Sequence, residues 1–168
     1  MNFLFAMLLL VNSGPVFSDP NLREVRSLFI RAASDESACK KLVQMLRPYT
    51  EKTNPLLSGY RGNATMMMAK YVFNPISKIS HFNRGKSVLE NAIRADPENI
   101  ELLFLRFCTQ ANSPGFLGYK ENMEKDKKMI LSNLASVDDP NLKSMIKNYL
   151  LKEPSLNEAE KEIVKNIR

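Results

Sequence analysis

Apolar residues recur at spacings of three and four along most of the chain. Leu22, Val25, Phe29 and Ala32 make one such face, and Ala38, Leu42, Met45 and Leu46 the next. Further on come Ile130, Leu134 and Val137, then Leu142, Met145, Ile146 and Tyr149, then Leu156, Ala159, Ile163 and Ile167. The interruptions share a form in which Asp or Asn precedes Pro: Asp19-Pro20, Asn54-Pro55, Asn74-Pro75, Asp96-Pro97 and Asp139-Pro140. Such a pair supplies a capping oxygen and a first-turn residue whose missing N–H costs nothing. Ser155 with Glu158 has the spacing of a capping box and marks one more start. These signals predict helices near 20–33, 35–48, 55–73, 75–95, 97–111, 120–137, 140–151 and 156–168. No alternating strand pattern bounded by hairpin turns occurs, so the expected class is all-α. The short connections favour stacked antiparallel hairpins.

The stretch Asn54–Phe73 (NPLLSGYRGNATMMMAKYVF) is expected to be the central helix. From Leu56 to Phe73 its only charges are Arg61 and Lys70. A helix apolar on most sides belongs inside a bundle. Its small residues, Ser58, Gly59, Gly62, Ala64 and Ala69, let neighbouring helices come close, while Leu57, Tyr60, Met67 and Tyr71 supply bulk. The segment Asn112–Tyr119 (NSPGFLGY) reads as an ordered elbow whose Phe116 and Leu117 plug the core.

Gly85, Leu89, Ala92 and Pro97 stand where a tetratricopeptide repeat places a small residue, a leucine, an alanine and a turn proline. Gly85–Asn99 thus resembles the second helix and turn of one such repeat, which implies a helical-hairpin bundle or superhelix. The Asp-Pro entries at Asp19, Asp96 and Asp139 lie 77 and 43 residues apart, so the repeat period of about 34 is absent. The general layout also resembles small exported bacterial helical proteins.

The N-terminus adds a location. Phe3–Val11 (FLFAMLLLV) is an unbroken apolar run, followed by Asn12-Ser13-Gly14-Pro15 and then Val16-Phe17-Ser18. This is the order of a secretory signal, too short to span a bilayer. Residues 1–18 are expected to be a signal peptide and 19–168 a single helical domain, periplasmic or extracellular, with no transmembrane segment in the mature chain. At 168 residues, 44% of them hydrophobic and 25% charged, the chain can build a core without metal or disulfide staples. Cys39 and Cys108, the only two cysteines, each lie on an apolar helix face and read as buried free thiols, with a disulfide between them the alternative that export would permit.

Charge is uneven. Between Glu51 and Glu90 no acidic residue occurs, while Lys52, Arg61, Lys70, Lys78, Arg84 and Lys86 are basic and His81 is the one histidine. This block carries much of the net charge of +6. Arg61, Lys70, Lys78, His81 and Arg84 are candidates for holding an anion or an acidic partner, beside a helix start at Asn74 that offers free N–H groups. The plainer account is a solvated basic face. A second set, Tyr60, Asn63, Arg106, Gln110 and Tyr119, is a candidate recognition groove. Arg106 interrupts the pattern Leu102, Leu103, Leu105, Phe107 and needs a partner if buried, for which Glu101 or a bound anion is the expectation.

Catalytic motifs are wanting. The sulfurs of Met66, Met67 and Met68 diverge by about 100° per residue on a helix, which suits core filling rather than a soft-metal site. One histidine and two distant cysteines have no zinc-ligand spacing. Ser37-Ala38-Cys39-Lys40 and Ser144-Met145-Ile146-Lys147 match Ser-x-x-Lys by chance in a lysine-rich chain. Asn63-Ala64-Thr65 fits a glycan acceptor but falls on the central helix, and Glu98 with Glu101 reads as a solvated pair. The expected function is an exported, non-catalytic helical-hairpin domain with a protein-binding or scaffold role in the cell envelope, its partner a protein or an anionic envelope component. No cofactor and no nucleic acid is expected. A carrier or sensor of a small anionic ligand is the alternative, and an enzyme using His81 as acid or base is the third.

Overall fold

The computed structural model describes residues 19–167; the signal-peptide expectation for residues 1–18 lies outside them. The described residues are all-helical, with no strand among them. Eight α-helices follow in order: α1 (Leu22–Ala32), α2 (Glu36–Met45), α3 (Pro55–Met67), α4 (Pro75–Ala95), α5 (Ile100–Asn112), α6 (Met123–Asn133), α7 (Pro140–Leu150) and α8 (Glu158–Asn166). None is long and apolar enough to cross a membrane.

Caps decide the starts. Asn54, Asn74 and Asp139 cap α3, α4 and α7, each with Pro in the first turn. At the other two Asp-Pro pairs the start moves downstream. Asn21 caps α1 and Asn99 caps α5, their side chains accepting from the backbone N–H of Arg23 and of Glu101. The displaced acids take other work: Asp19 accepts from Asn54 Nδ2 at 3.1 Å, and Asp96 from Asn99 Nδ2 at 2.8 Å. The capping box of α8 likewise sits two residues beyond Ser155. Asn157 Oδ1 accepts from Glu160 N–H at 2.9 Å, and Glu160 Oε2 from Asn157 N–H at 2.8 Å.

The central helix is shorter than its apolar composition suggests. α3 ends at Met67 and tightens into a 3₁₀ turn over Met68–Lys70. Pro75 excludes helical geometry at the residue before it, so the chain must leave the helix ahead of Asn74. Tyr71 Oη and Lys70 Nζ then donate to the carbonyls of Ala32 and Ala33, pinning this exit to the end of α1. Phe73 is left 98% exposed.

α3 nevertheless holds the centre, packing on α1, α2, α4 and α5. Its pairing with α4 is the tightest in the molecule. A Cβ on Gly62 would stand 2.8 Å from the Gly85 carbonyl oxygen, and one on Gly85 would stand 2.4 Å from that of Gly62. Consecutive helices also meet as α1 with α2, α5 with α6 and α7 with α8. One contiguous apolar core runs through all eight helices. Its aromatic contacts are edge-to-face: Phe29 on Tyr60 at 5.4 Å, Phe82 on Tyr119 at 5.7 Å and Phe104 on Tyr149 at 5.4 Å.

The elbow after α5 turns differently from the sequence expectation. A short 3₁₀ turn (Gly115–Leu117) is followed by Gly118 at φ +59°, a left-handed conformation that glycine adopts without steric cost. The turn sends Tyr119 into the core and leaves Phe116 84% exposed, while Leu117 packs partly on the core.

Candidate binding site

Two buried arginine clusters, built on Arg26 with Glu101 and on Arg106 with Asp126, lie inside the fold. In the first, Arg26 of α1 lies in a bidentate pair with Glu101 of α5, at 2.7 and 2.8 Å, and reaches Asp139 at 2.7 Å and Asn141 at 3.1 Å. Tyr60 Oη of α3 donates to the same Glu101 carboxylate. In the second, Arg106 of α5 forms a bidentate pair with Asp126 of α6, at 2.7 and 2.8 Å, and holds Glu90 of α4 at 2.9 Å. Tyr119 Oη donates to that Glu90. Burial alone would weaken both guanidinium charges, but the carboxylate hydrogen bonds outweigh it and raise both arginine pKa values. Burial, and then the adjoining Glu101 charge, pushes the Tyr60 phenol well above its usual range, so it stays a donor.

These clusters redefine the second candidate set. Tyr60, Arg106 and Tyr119 are core groups with intramolecular partners. The partners of Arg106 are Asp126 and Glu90, not Glu101, which is spent on Arg26. Glu98 stays exposed while Glu101 is buried, so the two form no carboxylate pair. Gln110 is fully buried, and neither polar atom of its side chain has a partner. Asn63 lines a cavity.

That cavity is a half-open cleft of about 690 Å³. Phe29, Met66, Phe82, Phe104, Cys108 and Met145, all of them buried, belong to its wall, and they come from α1, α3, α4, α5 and α7. Ile30, Ile79 and Phe116 also line it and are half to mostly exposed. The same helix carries Ile76 one turn before Ile79, 78% exposed. On α4, Phe82, Leu89 and Ile93 enter the core, whereas Ile76 and Ile79 stand clear of it. Among the described residues, three charged groups line the cleft, Lys70, Lys78 and Lys152, and no acidic residue does.

The basic candidates disperse. Lys70 and Lys78 reach the cleft; Arg61, His81 and Arg84 are not among its lining residues. Arg61 is half-buried with its Nε unpartnered, His81 is half-buried, and Arg84 is exposed. Lys86 instead lies 4.6 Å from the ring centre of Tyr119. Met66 and Met67 line the cleft, while Met68 opens the 3₁₀ turn. No group of three or more His, Cys, Asp or Glu able to hold a metal occurs among the described residues. Both thiols are free. Burial first, and then the charge of Glu36, pushes Cys39 up to about 11, and burial raises Cys108 as well.

Sequence reading missed the cleft because its walls come from five helices and the elbow. The signal that could have found it is the surplus of large apolar residues at Phe73, Ile76, Ile79 and Phe116, beyond what the core takes in. No family model, no curated protein and no solved structure matches the chain.

Proposed function

We propose that the protein is a non-catalytic helical binding domain acting outside the cytoplasm, and that the apolar cleft is its binding site. The observation that carries this reading is a cleft with a buried aromatic and methionine wall, a lip of exposed Ile30, Ile79 and Phe116, and lysines as its only charges. Large apolar side chains left clustered in water mark a surface that something else covers. Methionine and phenylalanine walls adapt to apolar ligands of varied shape.

The pairing of consecutive helices supports a stacked-hairpin layout. The resemblance over Gly85–Asn99 agrees with it, since Gly85, Leu89 and Ala92 all fall at buried packing positions. The apolar run Phe3–Val11 supports export.

Titration with Nile red, a neutral apolar dye, tests the site. Emission should rise saturably at one dye per chain. Joint replacement Ile79→Glu and Phe116→Glu, at side chains the core does not use, should weaken binding by about fivefold or more without moving the thermal midpoint. Dye binding that never saturates, or that ignores both substitutions, removes the reading.

A further inference from the structure

We infer that the cleft takes a free single-chain amphiphile: an apolar chain ending in one anionic group, of the long-chain carboxylate type. The inference rests on the binding-domain reading and specifies its ligand. Three features of the lining point to it.

Four polar side chains of the wall, Asn63, Thr109, Asn112 and Ser113, have their donors already occupied. Asn63 Nδ2 donates to the Leu105 carbonyl at 2.8 Å and to Thr109 Oγ1 at 2.7 Å, and Thr109 Oγ1 donates to the same carbonyl at 3.0 Å. Asn112 Nδ2 donates to the Cys108 carbonyl at 2.8 Å and to Tyr149 Oη at 2.9 Å; Ser113 Oγ donates to the Thr109 carbonyl at 2.6 Å. A ligand with polar groups along its length would find few free donors there and would lose its water. The body of the ligand is therefore apolar.

The available donors are cationic and lie at the edges. The ammonium groups of Lys78 and Lys152 are exposed and make no hydrogen bond or ion pair among the described residues. Lys70 donates to the Ala33 carbonyl at 3.0 Å and adds a third positive charge. With no carboxylate lining the cleft, its field selects an anion and repels a cation.

Size excludes bulkier occupants. A volume of about 690 Å³ is typical of small-molecule sites, which span roughly 300–1,000 Å³. A three-turn helix, about 10 Å wide and 16 Å long, displaces on the order of 1,300 Å³ and would leave about half of itself outside.

The test displaces bound Nile red from the purified protein with dodecanoate, dodecyltrimethylammonium and butanoate, and measures cosedimentation with phosphatidylglycerol vesicles. Dodecanoate should displace the dye at roughly tenfold lower concentration than the ammonium of equal chain length, and butanoate should not displace it. Lys78→Glu combined with Lys152→Glu should abolish or reverse that preference while Nile red still binds. Equal displacement by the two head groups, or indifference to the lysine substitutions, overturns the inference. So does vesicle binding without displacement by dodecanoate, which would assign the face to a lipid surface. Failure of Nile red itself to bind removes the binding site altogether; dye that binds but resists dodecanoate removes only the amphiphile.

Discussion

At the scale of single residues, Arg106 shows how a charge survives inside an apolar helix. It is 7% exposed, and Asp126 opposite it is 1% exposed. A buried pair contributes little net stability over a hydrophobic replacement of both partners, but removing one partner strands the other. Arg106→Leu should therefore lower unfolding stability by about 3–5 kcal/mol in urea titration. Adding Asp126→Leu should recover a large part of that loss. A single-substitution loss below about 1 kcal/mol would show that Asp126 finds water or another donor. The sequence announces the need, since an arginine among Leu102, Leu103, Leu105 and Phe107 must have a counterion. It could not name the counterion. Asp126 and Glu90 arrive from other helices, and the acid nearest in sequence on the same helix, Glu101, answers Arg26 instead.

At the scale of helices, starts were more legible than ends. A cap is a local event between a side chain and the N–H groups two or three residues on, so Asn54, Asn74 and Asp139 could be read directly. Asp19 and Asp96 misled because Asn21 and Asn99 compete for the same role and win it. The end of α3 depends on contacts with Ala32 and Ala33, which no local pattern contains. Close packing was half legible: the small residues of α3 stood out, whereas Gly85 on α4 shows its purpose only against Gly62. A methyl on Gly85 would meet Gly62 O at 2.4 Å and Met66 N at 2.7 Å, both backbone atoms that move only if the helices part. Gly85→Ala should cost more than the usual 1–3 kcal/mol or so of overpacking, less the roughly 1 kcal/mol that alanine gains as a helix former. Gly115→Ala, with nothing within 4 Å of the added carbon, is the matched control and should leave the thermal midpoint nearly unchanged.

Across the whole molecule, α5 carries one member of each arginine cluster and so joins the two halves. Glu101 ties it to α1 and α3, and through Arg26 to Asp139 at the start of α7; Arg106 ties it to α4 and α6, and through Glu90 to Tyr119 of the elbow. None of these long-range links was legible in the sequence, because charge pairing across 75 or 113 residues leaves no periodic trace. Acid should expose the first cluster. Its hydrogen bond from Arg26, and then the N–H groups of Leu142 and Asn141, hold the Asp139 carboxyl below its ordinary value of 3.8. A carboxyl depressed in the native state binds protons more readily once the chain unfolds. Its contribution is thus complete above about pH 4 and is lost as the pH falls through the native value. Asp35 and Glu160 are lowered too and add to the same acid slope, so the wild-type curve alone does not isolate Asp139. Asp139→Asn does, because asparagine caps a helix as well as aspartate and removes only the charge opposite Arg26. The variant should be less stable than wild type at pH 7, with the difference shrinking as the pH falls below 4, as followed by urea unfolding at each pH. A difference that stays constant across that range would mean that Asp139 does not act through its charge.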